Sequence, residues 1–459
     1  MEKYVIPKFS LPSGAVVKET TAFCEKNHCV LFEKETGHIL CMDKKCFDNF
    51  AAQNVSDGIA RKLSSHCFVS SNETKCQMEQ CEIFPEFFMI DLTNKCNMQC
   101  KYCLRDVNHK AQSVSTQVIS DICNYINKYI EEFHPKNISI QPWGGEPLLE
   151  LDKILNMRQN IVSLNTKIHF SIETNGLLLT DEVLKKLYDA KIGIGISIDG
   201  YERLHDQQRI LPNGSGTHKT VEKHLRKSLE LFGQRVGTIT TITRQNADYI
   251  ESILDYFVKE IGLKHVKFNF VHPSVFFDCN DICVDEKLIS VTILRLLNRM
   301  VDLIEIGYQV EEHNICVKLK NILTNKFTDI CHSRGCNGGK RMIVFDRNGN
   351  IFPCEMTDTP KEKLGSIYEP ISLLDMIHKS VGIRDYFLVK KEEICESCEW
   401  YIYCRGGCTV RTICSGKRPP LIDRIECAVN RTLYPALMEL ILTKPNVVNK
   451  LLECDLLET

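Results

Sequence analysis

The stretch Cys96-Asn97-Met98-Gln99-Cys100-Lys101-Tyr102-Cys103, "CNMQCKYC", sets three cysteines in eight residues. Such a group suits a zinc knuckle, part of a disulfide framework or an iron–sulfur cradle, and each sends the chain to a different task. In Cys-x3-Cys-x2-Cys the thiols converge on one loop. Zinc would need a fourth ligand, for which His109 stands nearby. A [4Fe–4S] cluster held by three thiolates keeps one iron for another ligand. Spacing alone leaves both open.

The rest of the chain narrows the choice. At 459 residues, two or three domains are expected. The 43% hydrophobic and 25% charged content is that of an ordinary globular protein. A net charge of −2 gives no general attraction to nucleic acid or an acidic membrane, and neither is expected as a partner. The opening "MEKYVIPKFSLPSG" lacks a signal peptide's basic and apolar regions, and no run is long enough to span a bilayer, so a cytoplasmic location is expected. A cytosolic chain keeps thiols reduced. Its 24 cysteines, where clustered, therefore point to metal.

Strand-like runs follow one another from the motif outward: "FFMIDLT", "NISIQPW", "KIHFSIETN", "GIGISID", "VGTITTIT" and "VKFNFVH". Helical patterns occupy about 115–132, 148–163, 181–190, 217–232, 247–260 and 285–306. Six β-α repeats predict an α/β fold, a partial (β/α)6 TIM-like barrel over 86–310 whose active face is the C-terminal strand ends. Before it, residues 1–85 read as a separate module. "NHCVLFEKETGHILCM" predicts a hairpin about Glu35-Thr36-Gly37, then two short helices capped by Asp43 and Asp57, a winged-helix-like pattern. An extension merely packed on the main domain is the competing reading. After it, 311–459 becomes cysteine-dense from residue 331 and ends in a helix near 427–443, a domain organised by metal.

The first four strand ends each carry a motif. After the second strand stands Gly144-Gly145-Glu146-Pro147, after the third Thr174-Asn175-Gly176, after the fourth Ser197-Ile198-Asp199-Gly200. Beyond lies "HDQQR", with His205, Asp206 and Arg209. With Cys96, Cys100 and Cys103 after the first strand, this order resembles the radical S-adenosylmethionine (radical SAM) enzymes. The resemblance implies that the three cysteines hold a catalytic [4Fe–4S] cluster whose open iron binds SAM. It implies one-electron cleavage of SAM to a 5′-deoxyadenosyl radical, with an external reductant such as flavodoxin or ferredoxin. Cofactor contacts are expected from Tyr102, Gly144, Gly145, Glu146, Asn175, Ser197, Asp199 and Arg209. Glycines admit a close backbone approach, Glu146 suits the methionyl ammonium, and Arg209 or Ser197 its carboxylate. His109 then reads as a surface residue.

The C-terminal spacing, Cys-x12-Gly-x4-Cys (Cys336, Gly349, Cys354), Cys-x2-Cys-x5-Cys-x3-Cys (Cys395, Cys398, Cys404, Cys408) and Cys427, is similar to the SPASM extension of that family. By resemblance, Cys395, Cys398, Cys404 and Cys427 hold one auxiliary [4Fe–4S] cluster. Cys336, Cys354 and Cys408, with Cys331, hold a second. Zinc-ribbon sites share such pairs, and the upstream motifs favour iron. The other cysteines, including Cys24, Cys29, Cys41, Cys46, Cys67, Cys76, Cys81, Cys279, Cys283, Cys414 and Cys454, mostly read as small buried hydrophobes, with Cys279 a weak candidate to face the site.

SPASM-bearing members mostly modify peptides and proteins, and a hairpin with helices ahead of the barrel is similar to the peptide recognition element of ribosomal-peptide maturases. The implied function is formation of a cross-link, a thioether first and a carbon–carbon bond second, in a ribosomally made precursor whose leader binds the N-terminal module as an added strand. The alternative is an anaerobic sulfatase-maturating enzyme forming formylglycine, with Asp278, Asp281 and His272 as positional candidates for a base. A non-catalytic metal scaffold would not need the three strand-end motifs.

Overall fold

The computed structural model describes residues 1–70, 84–107, 110–274, 277, 279–327, 329–331, 334–357, 360–380, 393–408, 410–411 and 422–452. His109, Asp278, Cys76, Cys81, Cys414 and Cys454 lie outside the described residues.

Six parallel strands carry the expected motifs. They are β5 (Phe87–Thr93), β6 (Asn137–Gly144), β7 (Lys167–Thr174), β8 (Ile192–Ser197), β9 (Val236–Ile242) and β10 (His265–Phe270). N-terminal to them, β1 (Glu2–Ile6), β2 (Thr20–Glu25), β3 (His28–Phe32) and β4 (Ile39–Asp43) form a separate antiparallel sheet in sequence order. Alternation sets the faces of the parallel sheet. In β8, "IGIGIS", Ile192, Ile194 and Ile196 are buried toward the helices, and the intervening glycines turn to the inner face. The same period puts Ile138 and Ile140 of β6 and Ile172 of β7 in the helix-side core, leaving Gln141, Trp143 and Glu173 on the inner face. Helices fill the crossovers: α3 (Thr116–Phe133), α4 (Leu151–Asn160), α5 (Asp181–Asp189), the short α6 (Glu202–His205), α7 (His218–Phe232) and α8 (Ile250–Asp255), then α9 (Glu286–Glu305) after β10. Ser115, Thr180 and Asp285 cap α3, α5 and α9 by accepting a backbone N–H of the first turn. The helical pattern at 247–260 is not one uniform helix: α8 is preceded by a 3₁₀ turn and runs into a π-turn at Tyr256–Ile261.

The sheet runs on past residue 310. β11 (Glu311–Glu312) pairs parallel to β10 and is followed by α10 (His313–Thr324). On the opposite side β12 (Met342–Phe345) pairs parallel to β5 and continues through β13 (Asn350–Phe352) and β14 (Gly365–Ser366). The order is β11-β10-β9-β8-β7-β6-β5-β12-β13-β14. The cysteine-rich segment is thus stitched to the strand that precedes the first cysteine motif.

In the N-terminal sheet the expected hairpin is present, β3 pairing β4 across the Glu35-Thr36-Gly37 loop. The helices are α1 (Lys44–Ala51), capped by Asp43, and α2 (Asp57–Ser65). The α2 cap is Ser56 rather than Asp57, because the Ser56 hydroxyl accepts the Ile59 N–H and Asp57 becomes the first helical residue, where its charge suits the dipole. This unit has its own core of Phe9, Leu31, Phe47, Phe50, Leu63 and Phe68. Its other face, Phe23, Val30 and Phe32, joins the main core. Phe23 and Phe32 stack on Trp400, which stacks on Tyr434. The module therefore has a core of its own and is also docked by its second face.

Cys24 and Cys29, buried as expected, face each other in the β2–β3 register and are joined as a disulfide rather than remaining free thiols. Cys41 is exposed, and Cys46, Cys67, Cys279 and Cys283 are half-buried, so the buried-hydrophobe reading fails for them. The C-terminal helix α11 (Arg424–Thr443) begins earlier than expected because Asp423 caps it, accepting from the Ile425 and Glu426 N–H groups. α12 (Pro445–Leu452) follows. Among the described residues no helix is long and apolar enough to cross a membrane.

Candidate functional site

The loop bearing Cys96, Cys100 and Cys103 leaves β5 and is pinned by backbone bonds. Gln99 N–H donates to Ile210 O (2.8 Å) and Lys101 N–H to Gln208 O (2.9 Å), while Gly145 N–H and Glu146 N–H donate to Thr93 O and Lys95 O. The glycines are sterically required. A Cβ at Gly144 would lie 2.4 Å from Thr93 O, and one at Gly145 2.3 Å from Lys95 O. Burial pushes the thiols of Cys96 and Cys100 up to about 11 and about 12, and the nearby Cys103 adds to both.

Two polar clusters brace this loop against the strand ends. The buried Glu146 carboxylate accepts from Thr174 Oγ1 (2.7 Å), Asn175 N–H (2.8 Å) and Leu148 N–H (3.0 Å). It ties the end of β6 to that of β7, with two of these bonds on Oε1 and one on Oε2. Burial still pushes its pKa up against those donors. Asn175 then reaches the cysteine loop, its Nδ2 donating to Asn97 Oδ1 (2.7 Å) and lying 3.8 Å from Cys96 Sγ.

The second cluster centres on Asp199, which is fully buried after β8. Its carboxylate accepts from Tyr102 Oη (2.6 Å) and Thr241 N–H (3.0 Å) and lies 3.1 Å from Arg209 Nε. That last contact is an ion pair of poor hydrogen-bond alignment, and Nε has no aligned acceptor. The Arg209 guanidinium lies over the Tyr102 ring and puts Nη1 4.0 Å from Cys100 Sγ. Behind it, His205 Nε2 donates to Thr217 Oγ1 (2.9 Å), whose hydroxyl donates to Arg209 O (2.8 Å). His205 Nδ1 is thereby left to accept the Asp199 N–H, and burial holds the ring neutral. Asp206 caps α7 instead, taking the Thr217 and His218 N–H groups. Ser197 ends β8, half-buried. Cys96, Cys100, Cys103, Tyr102, Gly144, Gly145, Glu146, Asn175, Asp199 and Arg209 are thus drawn to one face. The arrangement, three thiols beside a cation with one N–H short of an acceptor, fits a cluster whose remaining position takes an anionic ligand.

The C-terminal cysteines fall into two groups. Cys395, Cys398, Cys404 and Cys427 line one cavity with Trp400, Tyr401 and Asn430. Burial raises the Cys427 thiol, and Cys398 and Cys395 add to it. In the other group Cys354 is buried and packs with Cys408, Met89 and Met342. After burial and Glu355, Cys408 and Cys336 push its thiol up further. Cys331 is exposed at the rim. Both groups fit bulky thiolate-held clusters. Among the described residues no three His, Cys, Asp or Glu side chains are gathered tightly enough to hold a single metal ion.

Of the candidate bases, Asp281 is exposed, and His272 is wedged against Arg411, whose Nη2 lies 3.0 Å from His272 Nε2. Burial and that cation hold the His272 pKa well below its ordinary value. Sequence reasoning missed the inner-face groups. Asp91 of β5 pairs with Arg105 (2.9 Å) and Arg347 (2.5 Å), and its Oδ1 has no hydrogen-bond partner among the described residues. Glu173 is bonded by Gln141, and Lys267 offsets part of the rise that burial imposes on it. A signal existed: an aspartate inside the apolar strand "FFMIDLT" must find a partner.

Comparison with known proteins agrees with this geometry. Residues 90–257 match the radical SAM superfamily model. A cysteine-type anaerobic sulfatase-maturating enzyme of Clostridium perfringens (strain 13 / Type A) is 25% identical over 335 residues, covering 68% of this chain and 85% of the relative. The fold resembles anSMEcpe with bound AdoMet and Cp18Cys peptide (TM-score 0.67, 21% identity, 80% of this chain and 98% of that one). It also resembles Streptococcus suis SuiB bound to precursor peptide SuiA (TM-score 0.53, 16% identity, 88% and 97%). Members of the superfamily use a [4Fe–4S] cluster and SAM. Residues 90–257 carry a radical SAM domain, and the chain is an enzyme.

Proposed function

We propose that the protein is a radical SAM peptide maturase with a SPASM-type C-terminal region, forming a cross-link in a ribosomally made precursor peptide, a thioether in the first instance and a carbon–carbon bond in the second. The observation that carries this reading is the N-terminal sheet. It has its own core, yet is docked through Phe23 and Phe32 onto Trp400, which lines the cavity of four cysteines. It precedes the radical SAM domain, and β1 and β4, the edges of the sheet among the described residues, suit an incoming leader strand.

In this reading Cys96, Cys100 and Cys103 hold the catalytic cluster, and the two C-terminal groups hold auxiliary clusters. Bound SAM and its cluster supply a radical able to abstract an unactivated hydrogen. The chain's own residues do the rest. Arg209, fixed by Asp199 over Tyr102, faces an anionic cofactor group beside Cys100. Glu146 and Asn175 lock two strand ends to the cysteine loop. Asp91, Trp143, Glu173 and Lys267 line the inner face where the peptide would enter.

The sulfatase-maturase alternative is favoured by the 25% identity to the clostridial enzyme. Co-expression with peptides encoded beside the gene separates the two. A loss of two hydrogens per cross-link in a short precursor supports the maturase, and conversion of a sulfatase cysteine or serine to formylglycine overturns it. Deleting residues 1–85 should weaken binding of a leader-bearing peptide while sparing uncoupled SAM cleavage.

A further inference from the structure

Arg411 joins three parts of the molecule in one buried contact. Nη1 donates to Asp423 Oδ2 (2.8 Å), at the cap of α11. Nη2 donates to Nε2 of His272, in the segment after β10 (3.0 Å). Its own backbone N–H points at Cys408 Sγ (3.5 Å). A guanidinium only donates, so His272 must accept and stays neutral. Asp423 serves many donors at once: Oδ1 takes the Ile425 and Glu426 N–H groups, and Oδ2 takes the Cys408 N–H (3.1 Å) besides Arg411. Glu426 lies 4.0 Å from Arg411 and also receives Lys318, which donates to Asn430 as well (2.7 Å). Asp423 Oδ2 thus links the Arg411 guanidinium to the Cys408 backbone, while the Arg411 backbone N–H approaches the Cys408 sulfur.

We propose that Arg411 is a positioning residue that sets the reduction potential of the cluster assigned to Cys331, Cys336, Cys354 and Cys408, an inference that rests on the auxiliary-cluster reading above. Reduction adds a negative charge to a thiolate-held cluster already anionic. A fixed cation in a buried site favours the reduced state, and net charge and hydrogen bonds to sulfur are the protein's main levers on potential. The side chain supplies the charge and the backbone N–H the bond to sulfur, so a side-chain substitution isolates the charge. In the other group the buried cation Lys318 is bonded to Glu426 and Asn430, and Arg431 lines the cavity of the four cysteines.

The test uses full-length protein reconstituted anaerobically, with iron and sulfide analysis and reductive titration followed by electron paramagnetic resonance. Arg411→Gln should keep its full iron and move one auxiliary signal to a more negative potential. Arg411→Lys should stay near wild type, and the SAM-responsive signal should not move in either. Asp423→Asn keeps a good helix cap and removes a countercharge, so it should shift the same signal the other way. Arg411→Gln at full iron with unchanged potentials overturns the proposal. If that variant loses iron, an Asp423→Asn signal that does not move overturns it instead. Wild-type protein holding a single cluster overturns the auxiliary reading itself, and is recognised by the iron count before any titration.

Discussion

Around Cys96, Cys100 and Cys103 the side-chain supports sit mainly at the ends of parallel strands, Glu146 after β6, Asn175 after β7, Asp199 after β8 and Thr241 within β9, joined by the segment Gln208–Ile210 after α6. Around the C-terminal cysteines the supports are a helix cap, a buried arginine and a buried lysine, Asp423, Arg411 and Lys318, set among short elements. The first region is held by sheet register, which many backbone bonds share. The second depends on a few charged side chains, so single substitutions should change its electrostatics more than its neighbours' positions.

The largest contrast comes from removing thiols. Alanine at Cys96, Cys100 and Cys103 should abolish 5′-deoxyadenosine formation and lower iron by about one third, given three [4Fe–4S] clusters. Serine at Cys395, Cys398, Cys404 and Cys427 should cost about the same iron yet leave uncoupled SAM cleavage measurable. Equal loss of cleavage in both would erase the division between the regions.

Asp199→Asn comes next. It leaves Arg209 buried without its ion partner and should destabilise the protein by about 3–5 kcal/mol in denaturant unfolding, with weaker SAM binding. Lys318→Met, in the other region, should cost about 1.5–3 kcal/mol, because Glu426 keeps Arg411 nearby and loses one charged hydrogen bond. SAM binding should not change. The smallest effect is Thr174→Val, which removes one of three bonds to Glu146 and should cost about 1 kcal/mol. A larger loss in SAM affinity than in stability would show that Glu146 meets the cofactor as well as bracing the strands.

Much of the strand-end region is legible in the chain. The run "FFMIDLT" is β5 residue for residue, and the motifs end their strands as read, because period-two burial is a local signal. Pairings distant in sequence leave no such trace. Nothing near Met342–Phe345 announces that it lies beside Phe87–Ile90. Asp91 and Arg347 meet across 256 positions, and the Trp400 stack gathers rings from both ends of the chain. The disulfide of Cys24 and Cys29 was hidden by the assumption of reduced thiols, although their antiparallel register makes them neighbours. The strand-bracing part that Glu146 plays was not legible either, because Thr174 and Asn175 meet its carboxylate only in the fold.

The most direct measurement is iron and sulfide content of the anaerobically reconstituted protein, taken with its resonance spectrum before and after adding SAM. Three clusters are predicted, about twelve irons per chain. SAM should change only the signal that disappears when Cys96, Cys100 and Cys103 are replaced. Stoichiometric zinc, or a spectrum indifferent to SAM, would contradict the account.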